Sequence, residues 1–216
     1  LLIREGSAAK NLRALLPVIN EMTAPYCCFV TDDRHPADLI REGSINNMVR
    51  IAVSLGMPVA RAVQMATVNT ARYFGLRDIG VIAPHYQADL LVFEDLKNWK
   101  PAMVFKGGTL VAEHGQSVFA GEAAIAAAAI ENTMHMAPIE KTQLRIPMEG
   151  DTANVIGLVP EQIITQPLKM KVKVVDGEAV SDQETGILKL GVFERHHATG
   201  HVSAALVHGF GLKRGA

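Results

Sequence analysis

Several common features are missing from this 216-residue sequence. Its only cysteines are the neighbours Cys27 and Cys28, which would point to opposite faces of a strand and are poorly placed to pair with each other. No uninterrupted apolar run approaches the length of about 18 residues that spans a bilayer. With a net charge of −1, the chain also lacks the basic patch of a nucleic-acid-binding protein. We therefore expect no membrane and no nucleic-acid partner, and a reduced, cytoplasmic setting.

The ends of the sequence lack the usual signals as well. The chain has no initiator methionine and no signal peptide, and it opens inside the apolar run Leu1-Leu2-Ile3. It stops in residues 209–216 with no charged tail. Both ends look cut, so we expect the rest of the same polypeptide to complete the structure.

What is present begins with alternating strand and helix patterns. We predict strands at 1–3 and 26–30, and helices at about 7–20, 38–55 and 58–74. Ser7 is a candidate N-cap for the first helix, and Gly75 a C-cap for the last. The run from Tyr26 to Val30 is apolar on both faces, which is typical of a buried strand in a parallel sheet.

From Gly80 onward, short strand patterns dominate. Strands are predicted at 88–93, 102–105, 109–113, 154–159, 169–176 and 187–194, and an alanine-rich helix at 120–130. Lys106-Gly107-Gly108 is predicted to be the turn between two of the strands, and it is too short to be a phosphate loop.

The acidic pair Asp32-Asp33 follows directly where the apolar strand 26–30 ends. In β/α barrels this end of a strand lies on the catalytic face. A carboxylate there can bind a divalent metal or move protons from a metal-bound water, and strand alternation would turn the two carboxylates to different sides. The alternative is that the pair belongs to a turn or a helix N-cap, with Pro36 ending the strand.

Several motifs resemble one family. Residues 29–36 (FVTDDRHP), with EGSIN at 42–46 behind them, resemble the last barrel strand of bacterial-type adenine deaminases. Residues 66–76 (ATVNTARYFGL), 80–84 (GVIAP) and 88–92 (ADLLV) resemble a hallmark of the whole amidohydrolase superfamily. His85 stands where that hallmark usually has glycine, and a histidine can adopt the left-handed turn at some cost. Residues 189–196 and 208–212 resemble the extra C-terminal domain of the deaminases.

This resemblance implies an α/β fold: the terminal part of a (β/α)8 metal-dependent hydrolase barrel, a small β-sandwich segment and a mixed α+β C-terminal segment. The implied regions are 1–79 for the last two strands and helices of the barrel, 80–125 for the sandwich, and 126–216 for an incomplete C-terminal domain. We also expect the protein to form a homo-oligomer.

The same resemblance implies hydrolysis of adenine to hypoxanthine and ammonia in purine metabolism, on one or two divalent ions, Mn or Fe with Zn as a further candidate. Asp32 would bind metal and relay the proton of the water, with Asp33 as the second catalytic candidate. Arg4 and Ser7, at the preceding strand end, could bind substrate. The family's His-x-His pair and its other ligands are absent from the sequence, so this chain is expected to be inactive alone.

Three alternatives stay open. The chain could belong to another cyclic amidohydrolase, such as a dihydroorotase or hydantoinase, or it could be a non-catalytic binding or assembly module. Glu5, like Arg4 and Ser7, could cap the next helix or pair at the barrel rim instead of meeting substrate. His196, His197 and His201 could form a metal cluster, but a solvated loop after a strand is the interpretation that we favour.

Overall fold

The computed structural model describes residues 1–119 and 131–213. The chain divides into two compact units, residues 1–123 and 124–216. The predicted alanine-rich helix at 120–130 lies outside the described residues. The finer division at 79/80 and 125/126 stays a prediction.

A short parallel sheet organises the first unit. Strand β1 (Leu2–Arg4) pairs with β2 (Cys28–Val30), and Leu2 stands opposite Cys28. Five α-helices accompany it among the described residues of this unit: α1 (Leu12–Leu15), α2 (Pro36–Glu42), α3 (Ile45–Ser54), α4 (Val59–Ala66) and α5 (Val68–Tyr73). Two 3-10 turns, Leu16–Val18 and Ala24–Tyr26, lie between the strands. The parallel pairing expected for 26–30 is confirmed.

The helix predicted at 7–20 forms only over Leu12–Leu15, followed by the 3-10 turn at Leu16–Val18, and the prediction of Ser7 as its N-cap is wrong. Helix α1 begins only at Leu12, because the preceding residues form a loop closed by backbone hydrogen bonds. In that loop the Gly6 N–H donates to the Ala9 carbonyl at 2.9 Å, and the Asn11 N–H donates to the Arg4 carbonyl at 3.0 Å. Backbone groups bonded across a loop cannot also bond along a helix.

The two longer predicted helices are each broken into two. Gly43 separates α2 from α3 with φ +95°, a left-handed conformation that glycine adopts without steric cost. Thr67 separates α4 from α5, with φ −132° and ψ −92°. Gly75 lies at φ +69° just beyond α5, and this confirms the predicted helix stop there.

The core of the first unit lies between the parallel sheet and the helices. Ile3 and Phe29 from the strands meet Leu12, Met48 and Met65 from the helices, and all five are buried. Cys27 and Cys28 are buried free thiols. Burial raises the pKa of the Cys27 thiol. Met48, Met57 and Met65 are buried in this core.

A four-stranded antiparallel sheet follows in the same unit. Its order is β3 (Leu90–Val92), β4 (Met103–Lys106), β5 (Thr109–Glu113) and β6 (Gln116–Ser117). This confirms the sheet predicted for 88–113. Gly107 and Gly108 make the turn, and the Asp89 carboxylate binds both the Gly107 N–H at 2.8 Å and the Lys106 ammonium. These bonds, chiefly the one from Lys106, lower the pKa of Asp89 to about 2.

The second unit is built on another four-stranded sheet. Its strands are β7 (Thr152–Leu158), β8 (Thr165–Lys171), β11 (Ile187–Phe193) and β12 (Val202–His208), in the order β11-β12-β7-β8. The small pair β9 (Val174–Val175) and β10 (Glu178–Ala179) lies beside it, with a 3-10 turn at Lys141–Leu144. Val155, Ile187 and Leu206 form its buried core.

Sequence patterns located this second sheet only in part. The strands predicted at 154–159 and 187–194 are confirmed, whereas the one predicted at 169–176 starts four residues too late and extends past the strand end at Lys171. Pro167 argues against a strand in the sequence pattern, because proline cannot donate a ladder hydrogen bond. However, β8 is an edge strand, where proline is tolerated. Strand β12 was not predicted.

No closed barrel forms within the described ranges, where the parallel sheet has two strands. The barrel and sandwich therefore stay predictions, and mixed α/β content with several sheets is what the structure establishes. Nowhere in the described ranges is a helix both long enough and apolar enough to cross a membrane.

Candidate active site

The acidic pair lies just beyond the parallel sheet. Strand β2 ends at Val30, and residues 31–35 connect it to α2 without regular structure. Asp32 has φ +56°, in the left-handed region that aspartate tolerates better than most residues. The predicted strand alternation of the two carboxylates is therefore wrong, because neither aspartate belongs to the strand. We define residues 31–35 as the acidic loop.

Asp32 and Arg4 come together at this end of the sheet. The Asp32 Oδ2 lies 3.3 Å from the Arg4 Nη1, and the Arg4 Nε donates to the Asn11 side chain at 2.9 Å. The other Asp32 oxygen accepts the Asp33 N–H at 2.9 Å. Both charged side chains stay partly exposed, 44% for Asp32 and 31% for Arg4, so solvent and a small molecule can reach them.

Ser7 links the loop after β1 to the start of α2. Its hydroxyl donates to the Asp38 carboxylate and accepts the His35 N–H at 2.8 Å. The hydrogen bond from Ser7 lowers the pKa of Asp38, and the nearby Arg34 charge adds to the effect. The single hydroxyl proton of Ser7 is thus already engaged, while its contact with substrate stays a prediction.

Glu5 takes the capping role that the sequence offered as an alternative. The residue is 5% exposed, and its Oε2 accepts the N–H of Leu12, the first residue of α1, at 3.1 Å. A helix start leaves N–H groups without partners inside the helix, and a carboxylate satisfies them well. This carboxylate therefore stabilises the entry to α1.

Arg34 is the most buried charged side chain of the acidic loop. Its side chain is 3% exposed, and its guanidinium pairs with the Glu42 carboxylate. The Nη1 donates to the Glu5 carbonyl at 3.1 Å. Within the described residues the buried Nε finds no hydrogen-bond partner.

The backbones of the two strand-end loops also touch. The Ser7 N–H donates to the Asp33 carbonyl at 2.9 Å. A Cβ at Gly6 would lie 2.9 Å from the Asp33 carbonyl oxygen and 3.2 Å from that of Thr31. Only glycine fits this approach without a shift of backbone.

Metal-binding capacity is limited in the part of the chain that is described. No group of three or more His, Cys, Asp or Glu side chains there could hold an ion. Asp32 supplies at most one ligand, and both of its oxygens already accept hydrogen bonds. The described residues by themselves do not fit a metal ion.

The histidines at 196, 197 and 201 lie in the connection between β11 and β12. There the Glu194 carboxylate accepts the His196 N–H at 2.5 Å and the His197 N–H at 3.0 Å. These backbone bonds, led by that of His196, lower the pKa of Glu194 to about 2. The favoured interpretation of a loop is confirmed.

Comparison with known proteins places this geometry in a family. The model of the amidohydrolase family matches residues 2–111, which include both strand-end loops. The chain belongs to the amidohydrolase family. A second model, the adenine deaminase C-terminal domain, matches residues 162–216.

Curated relatives align with this amidohydrolase chain along its whole length. It is 52% identical over 216 residues to "Adenine deaminase 2" of Carboxydothermus hydrogenoformans. It is 42% identical over 216 residues to "Adenine deaminase" of Dehalococcoides mccartyi, and 43% identical over 216 residues to that of Lysinibacillus sphaericus. The chain spans about 37–38% of the length of these relatives.

Sequence reasoning missed Arg34, Asp38 and Gly6. Arg34 lies in the motif 29–36, but a charged residue next to an acidic pair is normally expected to be exposed, and Gly6 and Asp38 lie outside that motif. Only the return of the chain from β2 past the end of β1 shows that Arg34 is buried and that Gly6 must be small.

Proposed function

We propose that this chain is one part of a metal-dependent adenine deaminase, which hydrolyses adenine to hypoxanthine and ammonia. The observation that carries the proposal is the pairing of two matches on one chain, amidohydrolase at 2–111 and adenine deaminase C-terminal domain at 162–216. A dihydroorotase or hydantoinase would not be expected to carry the second. The relatives' name, at 41–52% identity for the first five, points the same way.

Asp32 is the residue that we propose as the general base. Its carboxylate lies beyond the end of β2, partly exposed and oriented by Arg4. A carboxylate so placed can take a proton from the attacking water and return it to the leaving ammonia. Arg4, through its remaining donors, is proposed to contact adenine.

The metal site needs ligands from outside this chain. Because the described residues offer one carboxylate ligand, further ligands would come from the rest of the polypeptide, and the 216 residues alone would be inactive. The identity of the metal (Mn or Fe, with Zn as a third candidate) stays a prediction. The homo-oligomeric state also stays a prediction. Two free buried thiols are compatible with the cytoplasm, which we also propose.

The test compares Asp32→Asn with Asp33→Asn in the intact enzyme. Asn keeps the shape of Asp32 but cannot accept the proton, so kcat for adenine should fall by about 10²–10⁴-fold with little change in KM. One amide oxygen remains, so bound metal should fall only in part. Asp33→Asn should cost less, because Asp33 meets Ser7 through its backbone carbonyl, which the substitution keeps.

Three outcomes would count against the proposal. An inactive Asp33→Asn beside a normal Asp32→Asn would reverse the two assignments. An intact protein that opens a cyclic amide but releases no ammonia from adenine would favour another amidohydrolase. Tight stoichiometric metal in the purified 216-residue chain would contradict the need for outside ligands.

A further inference from the structure

Arg34 is a buried cation beside the proposed base. An ionised side chain leaves water at a high cost unless its donors are satisfied by fixed partners. Arg34 is 3% exposed at the side chain, and two of its nitrogens have such partners. A surface ion pair would not need this burial, so the placement of Arg34 calls for a role within the acidic loop.

The partners of Arg34 belong to different segments. The Glu5 carbonyl, 3.1 Å from Nη1, follows β1, and the Glu42 carboxylate belongs to the last residue of α2. Arg34 itself belongs to the acidic loop after β2. One guanidinium therefore contacts three segments at once, and it adds to the side-chain contacts that Ser7 makes with Asp38 and Arg4 makes with Asp32. Its planar, forked donor geometry suits this better than the single ammonium of lysine.

The acidic loop needs such a contact because its backbone is strained. Asp32 has φ +56°, and a non-glycine residue keeps such a conformation only where its surroundings over-determine it. Arg34 lies two residues further along. Next to it, the Asp33 carbonyl is held by the Ser7 N–H at 2.9 Å. These restraints fix the direction in which the Asp32 carboxylate leaves the loop.

We propose that Arg34 is a positioning residue, which holds the acidic loop against the end of β1 so that the Asp32 carboxylate is presented in one orientation. This inference rests on the proposed role of Asp32. The 3.3 Å contact between Asp32 and Arg4 depends on that orientation. A displacement of a reacting group by about 1 Å can lower a rate by about 10²-fold.

The test uses the intact enzyme with Arg34→Gln and Arg34→Lys. Arg34→Gln should lower kcat for adenine by about 10–100-fold and leave KM within about 3-fold, because orientation rather than binding is lost. Arg34→Lys should recover part of kcat, since its charge can still meet Glu42. Arg41→Gln, on the exposed surface of α2, is the matched control and should behave as the wild type.

Hydrogen exchange separates this inference from the proposed function. The Ser7 and Asp33 amides should exchange faster in Arg34→Gln than in the wild type or Arg41→Gln, whatever reaction the enzyme catalyses. If the wild type does not deaminate adenine but this exchange difference is found, the proposed function is refuted and the positioning role of Arg34 is retained. If Arg34→Gln changes neither the exchange of these amides nor kcat, the positioning role is overturned.

Two further outcomes are decisive. A rise in KM alone would overturn the inference and make Arg34 a substrate-binding residue. If Arg34→Gln does not fold, Glu42→Ala removes one partner, which is 44% exposed, and leaves the Glu5 contact. It should give a smaller loss of kcat and faster Ser7 exchange, and the absence of both effects would overturn the positioning role.

Discussion

Asn69 anchors the beginning of the strand that leads to Asp32. The residue lies on α5 and is 6% exposed. Its side-chain amide donates to the Ala24 carbonyl at 2.8 Å and to the Cys27 carbonyl at 3.0 Å. Cys27 directly precedes β2, and Ala24 begins the 3-10 turn before it. Replacing Asn69 with alanine should therefore loosen the entry to that strand.

The cost can be worked out from these two bonds. Each buried hydrogen bond contributes about 1 kcal/mol net, and a buried carbonyl left without its donor adds about 1–3 kcal/mol. The Ala24 carbonyl also accepts the Cys27 N–H at 3.0 Å, so it keeps a partner. We expect Asn69→Ala to lower the free energy of unfolding by about 3–5 kcal/mol, or Tm by about 6–20 °C at this chain length.

Urea unfolding of the 216-residue chain measures this effect. Trp99 is the sole tryptophan and is 4% exposed in the same core, so its fluorescence reports unfolding of the first unit, with circular dichroism as a second probe. Asn98→Ala, at an exposed asparagine, should change stability by less than about 0.5 kcal/mol. Equal stabilities for the Asn69 and Asn98 variants would refute the reasoning.

Two further predictions concern the strand-end contact and the second unit. Gly6→Ala should destabilise the first unit by about 1–3 kcal/mol, because the added Cβ would lie 2.9 Å from the Asp33 carbonyl oxygen. Gly150→Ala is the control and should cost little, because a Cβ at Gly150 meets open space. Equal urea midpoints for the two variants would contradict this prediction. The pKa of Glu194 is lowered from 4.5 to about 2, chiefly by the His196 N–H, so the carboxylate should stabilise its loop fully above about pH 4.5 and lose that effect as the pH falls through about 2. Backbone amide NMR of the loop should show this transition, Glu194→Gln should abolish it, and a loop indifferent to pH in the wild type would contradict the assignment.

Local signals in the sequence were sufficient for much of the fold. The apolar run 26–30 predicted a parallel strand, and β2 pairs in parallel with β1. Lys106-Gly107-Gly108 predicted its turn, because two consecutive glycines tolerate positive φ. His85 adopts φ +69° at the position where the family usually has glycine. In each case the neighbouring residues alone set the backbone preference.

Helix lengths were where local patterns failed. The apolar periodicity continues through Gly43 and Thr67, so the sequence favoured two long helices where four short ones form. Ser7 suits an N-cap by residue type, but its hydroxyl binds Asp38, which lies 31 residues away. A partner so distant in the chain competes with local capping, and a local pattern contains no sign of it.

The sequence alone determined the family, through motifs at 29–36 and 66–76, and it marked Asp32, Asp33, Arg4 and Ser7 as candidates. The tertiary structure decided how these side chains are held: Arg4 reaches Asp32, whereas Ser7 turns to Asp38. It also buried Arg34 between the ends of β1 and α2. The physical reason is that the residue type determines which bonds a side chain can make, whereas the packing of distant segments determines which of those bonds form.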